Sequence, residues 1–124
     1  EFRTGSVGVT LFDGSRHTPP AMTEAQVVEL MHNMATRSSS TTETAIRTML
    51  ALMRQQVFWD GNKRTGRLMM NGILLDFGYP MLNIKAKDRL EFNTKMIEWY
   101  ESDDIVPTAI YLLDYYKKQT LIYR

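Results

Sequence analysis

From Thr23 onward, the apolar positions of this 124-residue chain recur three and four residues apart, the spacing of one face of a helix. Val27, Leu30, Met31 and Met34 predict a first helix over residues 23–35, opened by Thr23 and Gln26, the two ends of a capping box. Ile46, Met49, Leu50, Met53 and Val57 predict a second, with Ser40 and Glu43 as another capping pair, and residues 37–42 are a polar connector too short for a domain linker. The pattern breaks at Asp60, Gly61 and Asn62 and resumes by Thr65 as far as Leu75. Residues 68–75 are apolar on nearly all sides, which predicts a helix at the centre of a bundle, with Gly66 and Gly72 admitting close neighbours and Gly78 with Pro80 ending it. A fourth helix over residues 85–101 buries Leu90, Met96, Ile97 and Tyr100. Pro107 opens a last one whose inner face is Ala109, Ile110, Leu112, Leu113 and Tyr116.

The period changes near the N-terminus. Residues 2–12, FRTGSVGVTLF, alternate loosely with Val7, Val9 and Leu11 on one side; Asp13 and Gly14 then turn the chain, and Pro19 and Pro20 close the segment. A short hairpin or extended flap is expected. The fold class is therefore all-α: about five helices with an N-terminal β-hairpin flap, one domain divided into a flap (1–20) and a helical core (23–124).

Composition narrows the function. A net charge of +1 makes no case for a nucleic-acid or membrane surface, and the basic residues cluster locally in one loop. There is no cysteine, so no disulfide framework or thiolate metal site, which fits a reducing cytosol. Without a signal peptide or an apolar run long enough for a bilayer, the chain reads as soluble and cytoplasmic. His32 lies beside the first apolar stripe and reads as a surface residue. Trp99, Tyr115, Tyr116 and Tyr123 could stack on a base, but at helical spacing they read as core.

The break between the second and third helices, QQVFWDGNKRTGR from Gln55, carries the candidate chemistry. Gly61 allows positive φ, so successive N–H groups can face one concavity, and the helix that follows adds the positive end of its dipole. Lys63, Arg64 and Arg67 add fixed positive charge around it. A single Asp60 beside such a phosphate cradle is enough for Mg²⁺, which binds nucleotides through one or two carboxylates besides phosphate oxygens and water. The plainer reading is that Asp60 and Gly61 end one helix, Asn62 or Thr65 caps the next, and the cations are solvated.

VFWDGNKRTGR resembles the signature loop of the Fic family, HxFx(D/E)GN(G/K)RxxR, whose members transfer AMP from ATP to a protein target. Phe58, Asp60, Gly61, Asn62, Lys63, Arg64 and Arg67 fall on matching positions. The resemblance implies Mg²⁺ on Asp60, the α- and β-phosphates of ATP on the amides around Gly61 and Asn62 and on the Asn62 side chain, and the outer phosphates on Arg64 and Arg67. It also implies that Phe58 fixes the loop to the core and that the flap, residues 2–12, aligns a target or regulatory protein by edge pairing. Helical structure commonly precedes the flap in that family, so the chain is expected to be N-terminally shortened. The Ser39-to-Glu43 spacing matches the inhibitory Ser/Thr-xxx-Glu element of some members, but it lies inside the core domain and lacks the usual following Gly or Asn, so that role is rejected.

One position departs. The general base of the family, a His, corresponds to Gln56, and the Pro that often follows it to Val57. A neutral amide takes no proton at neutral pH, and loss of a positioned base removes a factor of about 10² to 10⁴ from a rate. The resemblance therefore implies a protein adenylyltransferase with ATP binding retained and transfer weak or absent, unless water or a residue such as His17 stands in. The alternatives are a non-catalytic nucleotide-binding pseudoenzyme that acts as an interaction module, and a protein kinase like the related Doc toxins, which carry Lys where Lys63 stands. Gly61 and Arg67 favour the AMP-transfer side. A basic-loop nucleic-acid binder is the remaining class, and the near-neutral charge argues against it.

Overall fold

A computed structural model describes residues 2–121. The order of elements is β1 (Val9–Thr10), β2 (Arg16–His17), α1 (Glu24–Arg37), α2 (Thr41–Gln55), α3 (Asn62–Asp76), α4 (Arg89–Ser102, preceded by a 3₁₀ turn, Ala86–Asp88) and α5 (Val106–Leu121). The all-α class with a small N-terminal hairpin is as expected.

Helix α2 is the axis of the molecule, since α1, α3, α4 and α5 all pack on it. Its sequence allows this: Ala45, Ile46, Met49, Leu50, Leu52 and Met53 are all buried, more than one stripe of an ordinary surface helix. Around Ile46, Leu50 and Met53 the main core gathers Met70 and Leu74 from α3, Phe92 and Met96 from α4, and Leu112 from α5. Each such side chain contributes roughly 1.5–3 kcal/mol of transfer free energy. A smaller cluster, Val27, Leu52 and Val57, is completed by Phe2, Met31 and Phe58, and ties α1 and the chain start to the other side of α2.

The expectation that α3 would be the central helix is corrected. Only Asn62, Gly66, Met70 and Leu74 are buried along it, while Leu68 is 73% and Leu75 56% exposed. Apolar composition on all sides says that a helix could be central; it does not say which side meets a neighbour. Gly66 does admit a neighbour, because a Cβ there would lie 3.1 Å from Met53 Cγ and 3.3 Å from the Met49 carbonyl oxygen, whereas Gly72 faces open space. Helix α4 begins a turn later than expected, after the 3₁₀ segment; Phe92, Met96, Trp99 and Tyr100 face inward, while Leu90, two residues from Phe92 and so on another face, is 80% exposed and Ile97 is only partly buried. Ile110 of α5 likewise points outward, with Ala109, Leu112 and Tyr116 inside.

Helix starts follow the expected local chemistry with one change. Thr23 and Gln26 form the full reciprocal capping box. Ser40 caps α2 by accepting from the Glu43 N–H, but the Glu43 carboxylate turns back to the N–H and hydroxyl of Ser39 and to Arg47 rather than to the Ser40 amide. Those Ser39 bonds, the largest cause, hold the Glu43 carboxyl below the usual range. This cluster is at the start of α2, about 20 Å along the helix from its C-terminal loop. No helix among the described residues is long and apolar enough to cross a membrane.

Candidate nucleotide cleft

Helix α2 stops because Gln56 takes a left-handed conformation (φ 47°, ψ 55°) and returns its N–H to the Met53 carbonyl. Its side chain is 9% exposed and turned into the loop: Nε2 donates to the Met53 carbonyl at 2.5 Å, and Oε1 accepts from Asn62 Nδ2 at 3.2 Å. Both polar ends of the amide are therefore used within the loop. Asn62 is used as fully. Its Oδ1 accepts from the Phe58 N–H (2.8 Å) and its Nδ2 also donates to the Phe58 carbonyl (2.9 Å), so its carboxamide braces the loop instead of pointing at a ligand.

What Asn62 leaves open is backbone. The residue before α3 is Gly61 at φ 73°, with no side-chain cap and no acidic residue in the first turn of the helix. The first bond into the helix runs from the Thr65 N–H to the Gly61 carbonyl (2.9 Å), so the amides of Asn62, Lys63 and Arg64 precede the intrahelical ladder. A Cβ at Gly61 would come 3.3 Å from Arg64 Nη2, so the absent side chain is part of the concavity. The Asp60 carboxylate is almost fully exposed and lies 4.0 Å from Arg64.

The N-terminal segment crosses this loop. Phe2 forms a bridge with Phe58 and stacks on its ring at 5.2 Å, and the Arg3 N–H donates to the Val57 carbonyl. Arg3 is 2% exposed and has no carboxylate partner among the described residues; its guanidinium donates to the carbonyls of Gly5, Pro19, Pro20, Gln55 and Gln56. One cation thus satisfies the C-terminal carbonyls of α2 and pins both ends of the flap to them. Beyond Arg3 the expected strand over residues 2–12 shrinks to the two pairs Val9–His17 and Thr10–Arg16. Elsewhere in the segment the Arg3 N–H bonds to the loop, the Gly5 carbonyl accepts from Arg3 and the Gly8 carbonyl from Arg16.

Between flap and loop lies an open cleft of about 700 Å³. Its loop wall is Gln56, Trp59, Asp60, Gly61, Asn62, Lys63 and Arg64; its flap wall is residues 6–9 with Arg16. Six of the seven expected site residues therefore meet at one cleft. Arg67 does not line it: its guanidinium carbon lies 5.2 Å from the centroid of Phe92, and its Nε is buried without a partner among the described residues. His17 is also turned away, because strand alternation sends Arg16 to the cleft and His17 inward. Its Nε2 donates to the Arg54 carbonyl at 2.7 Å and its ring stacks on Tyr100. From that position it does not line the cleft.

None of the described aromatic candidates for a base site reaches the cleft. Trp99 donates to the Leu50 carbonyl, Tyr116 to the Pro80 carbonyl and Tyr115 to Asp88, all in or beside the core, and Tyr123 lies outside the described residues. Trp59 and Arg16 are the cleft residues that pattern reading missed. A large aromatic inside a polar loop was the available signal for Trp59. Arg16 had none, since only the hairpin register brings it across. The cleft suits a polyanion: open amides and three cations, Arg16, Lys63 and Arg64, surround one carboxylate. It suits a lone metal ion poorly, as no group of three His, Cys, Asp or Glu residues converges among the described residues.

A search of curated proteins finds no match to the chain. A family model described as Fic/DOC family matches residues 2–74, from Phe2 and Arg3 through the flap, α1, α2 and the signature loop to Leu74 of α3. That stretch is more than half of the chain and contains every wall of the cleft, and on it the protein belongs to the Fic/DOC family.

Proposed function

We propose that the chain binds a magnesium nucleotide, ATP, in this cleft and that transfer of AMP to a protein hydroxyl is slow or absent. The observation that carries the first half is the uncapped start of α3, three amides ahead of the first helical bond behind a left-handed Gly61, with Lys63, Arg64 and Arg16 around it. Fic/DOC members are generally transferases of this kind, which supports the choice of ligand. The phosphates would rest on the amides of Asn62, Lys63 and Arg64, with the Lys63 and Arg64 side chains outside them. Asp60 would share Mg²⁺ with the phosphates, and one carboxylate is enough only in their presence. Arg67 would have to leave the Phe92 ring to reach an outer phosphate.

The second half rests on Gln56. In AMP transfer the target's hydroxyl oxygen bonds to the α-phosphorus as the bond to pyrophosphate breaks, and the hydroxyl proton needs an acceptor. Gln56 has no basic atom, and its amide is already engaged at Met53 and Asn62. The same amide makes Gln56 a brace of the loop, which favours a nucleotide-binding interaction protein over an impaired enzyme. The unit proposed is one Fic domain over residues 1–124, with flap 1–20 and core 23–124. Its support is that α4 and α5, outside the family match, share the α2 core. A target or regulatory protein would pair along the flap, residues 2–12, and no nucleic acid or membrane partner is proposed. A cytoplasmic site of action is part of the same reading.

The test is Gln56→His incubated with labelled Mg-ATP and a protein extract. A rise in covalent labelling of about 10²-fold or more over the parent protein is expected. ATP labelled at the α- or the γ-phosphate distinguishes AMP transfer from the phosphate transfer of Doc proteins, which Lys63 on the cleft wall keeps open. Bound ATP with no gain in labelling would sink the claim that Gln56 is the defect.

A further inference from the structure

The loop wall of the cleft carries one large apolar side chain that the phosphate-binding reading leaves without a task. Trp59 is 47% exposed and belongs to neither hydrophobic cluster, although an indole of that size is usually well covered. It is nevertheless held. A Cβ on Gly5 would lie 2.8 Å from its Cη2, so the root of the flap presents bare backbone to the edge of the indole's six-membered ring. The ring is fixed at one edge by the flap and open to the cleft beside Val7, two residues from Gly61.

A cleft with a cationic, amide-lined end and a fixed aromatic surface at its mouth fits a ligand that is polyanionic at one end and planar at the other. We propose that Trp59 is the stacking platform for the nucleobase of the bound nucleotide, and that it makes the cleft select nucleotides over bare polyphosphates. The proposal rests on the nucleotide-binding reading and adds to it the residue that reads the base. A base stacks on an aromatic side chain with little regard to its hydrogen-bonding edge, so selection is expected for nucleotides as a class more than for adenine. Gly5 then has a part in binding, because its bare backbone lets the edge of the indole abut the flap with no side chain between them.

The experiment compares Mg-ATP with Mg-tripolyphosphate by calorimetry on the parent protein, Trp59→Ala and Trp59→Phe. Stacking predicts that Trp59→Ala weakens Mg-ATP by roughly five- to 150-fold and leaves Mg-tripolyphosphate within about twofold, while Trp59→Phe recovers most of the loss. The ring is half exposed, so its removal should not unfold the chain. The far-ultraviolet circular dichroism of each variant checks this. A Trp59→Ala protein that keeps the parent's ratio of the two affinities would overturn the platform while leaving the phosphate cradle standing. Failure of both ligands to bind the parent protein would overturn the cradle, and the platform with it.

Discussion

Tyr100 and Arg3 show how single side chains hold the cleft from behind. Burial depresses the pKa of the Arg3 guanidinium, and its bonds to carbonyls stand in for an acid among the described residues, while the exposed Asp60 carboxylate accepts from the Gly61 N–H at 2.7 Å on the cleft wall. Tyr100 has the opposite problem. Its ring supports His17 and so the base of the flap, but its hydroxyl is buried with no partner among the described residues, and burial pushes its pKa up to about 12. The folded state holds that proton more tightly than the unfolded chain does, so the contribution is complete below the unfolded value near 10 and is lost as pH rises from about 10 to about 12. Urea titrations across that range should show a loss of about 2–3 kcal/mol from this group. Tyr100→Phe keeps the stack on His17 and removes the stranded hydroxyl. It is expected to equal or exceed the parent's stability by up to about 1 kcal/mol at neutral pH and to lack this part of the alkaline loss. A Tyr100→Phe protein that loses more than 2 kcal/mol at neutral pH would mean that the hydroxyl has a partner.

At the scale of elements, the contact between α2 and α3 sets the geometry of the cleft, because the loop that joins them is its floor. Two glycines of α3 test that contact in opposite directions. Gly72→Ala meets nothing within 4 Å and should stabilise the chain by about 1 kcal/mol through helix propensity. Gly66→Ala gains the same propensity, but its Cβ meets the Met49 carbonyl oxygen, part of a helix backbone that cannot yield, and a net loss of about 1–3 kcal/mol is expected. Thermal unfolding of the pair checks both signs; equal shifts would contradict close α2–α3 packing. The same two residues show what a sequence reveals about elements. Each cap is written within four residues, so Thr23 and Gln26 were legible, and so was the break at Asp60–Asn62. The facing of α3 is decided by which helix lies opposite. Nothing local separates Gly66 from Gly72, or Leu90 from Phe92.

Across the whole molecule, the cleft forms where residues far apart in the chain come together: Phe2 and Arg3 close onto Gln55–Phe58, and the flap then hangs over the start of α3. The loop's share of the site was legible because the signature is contiguous. Arg16 was not, because it reaches the cleft only through the pairing of Thr10 with Arg16, and the displacement of Arg67 depends on Phe92, twenty-five residues further along the chain. The cations should therefore contribute unequally. Arg64→Ala, on the cleft wall, is expected to weaken Mg-ATP about tenfold, as the loss of one charge-assisted phosphate contact, whereas Arg67→Ala should leave affinity within about twofold and instead lower stability by about 1 kcal/mol through its lost packing on Phe92. Equal losses of affinity would show that Arg67 turns into the cleft when ligand arrives. The most direct measurement is isothermal calorimetry of ATP into the parent protein with and without Mg²⁺. Saturable binding of Mg-ATP, with no uptake of Mg²⁺ alone, is the result predicted by a cradle of amides and cations around a single carboxylate. No detectable binding of Mg-ATP, or tight binding of Mg²⁺ without nucleotide, would contradict it.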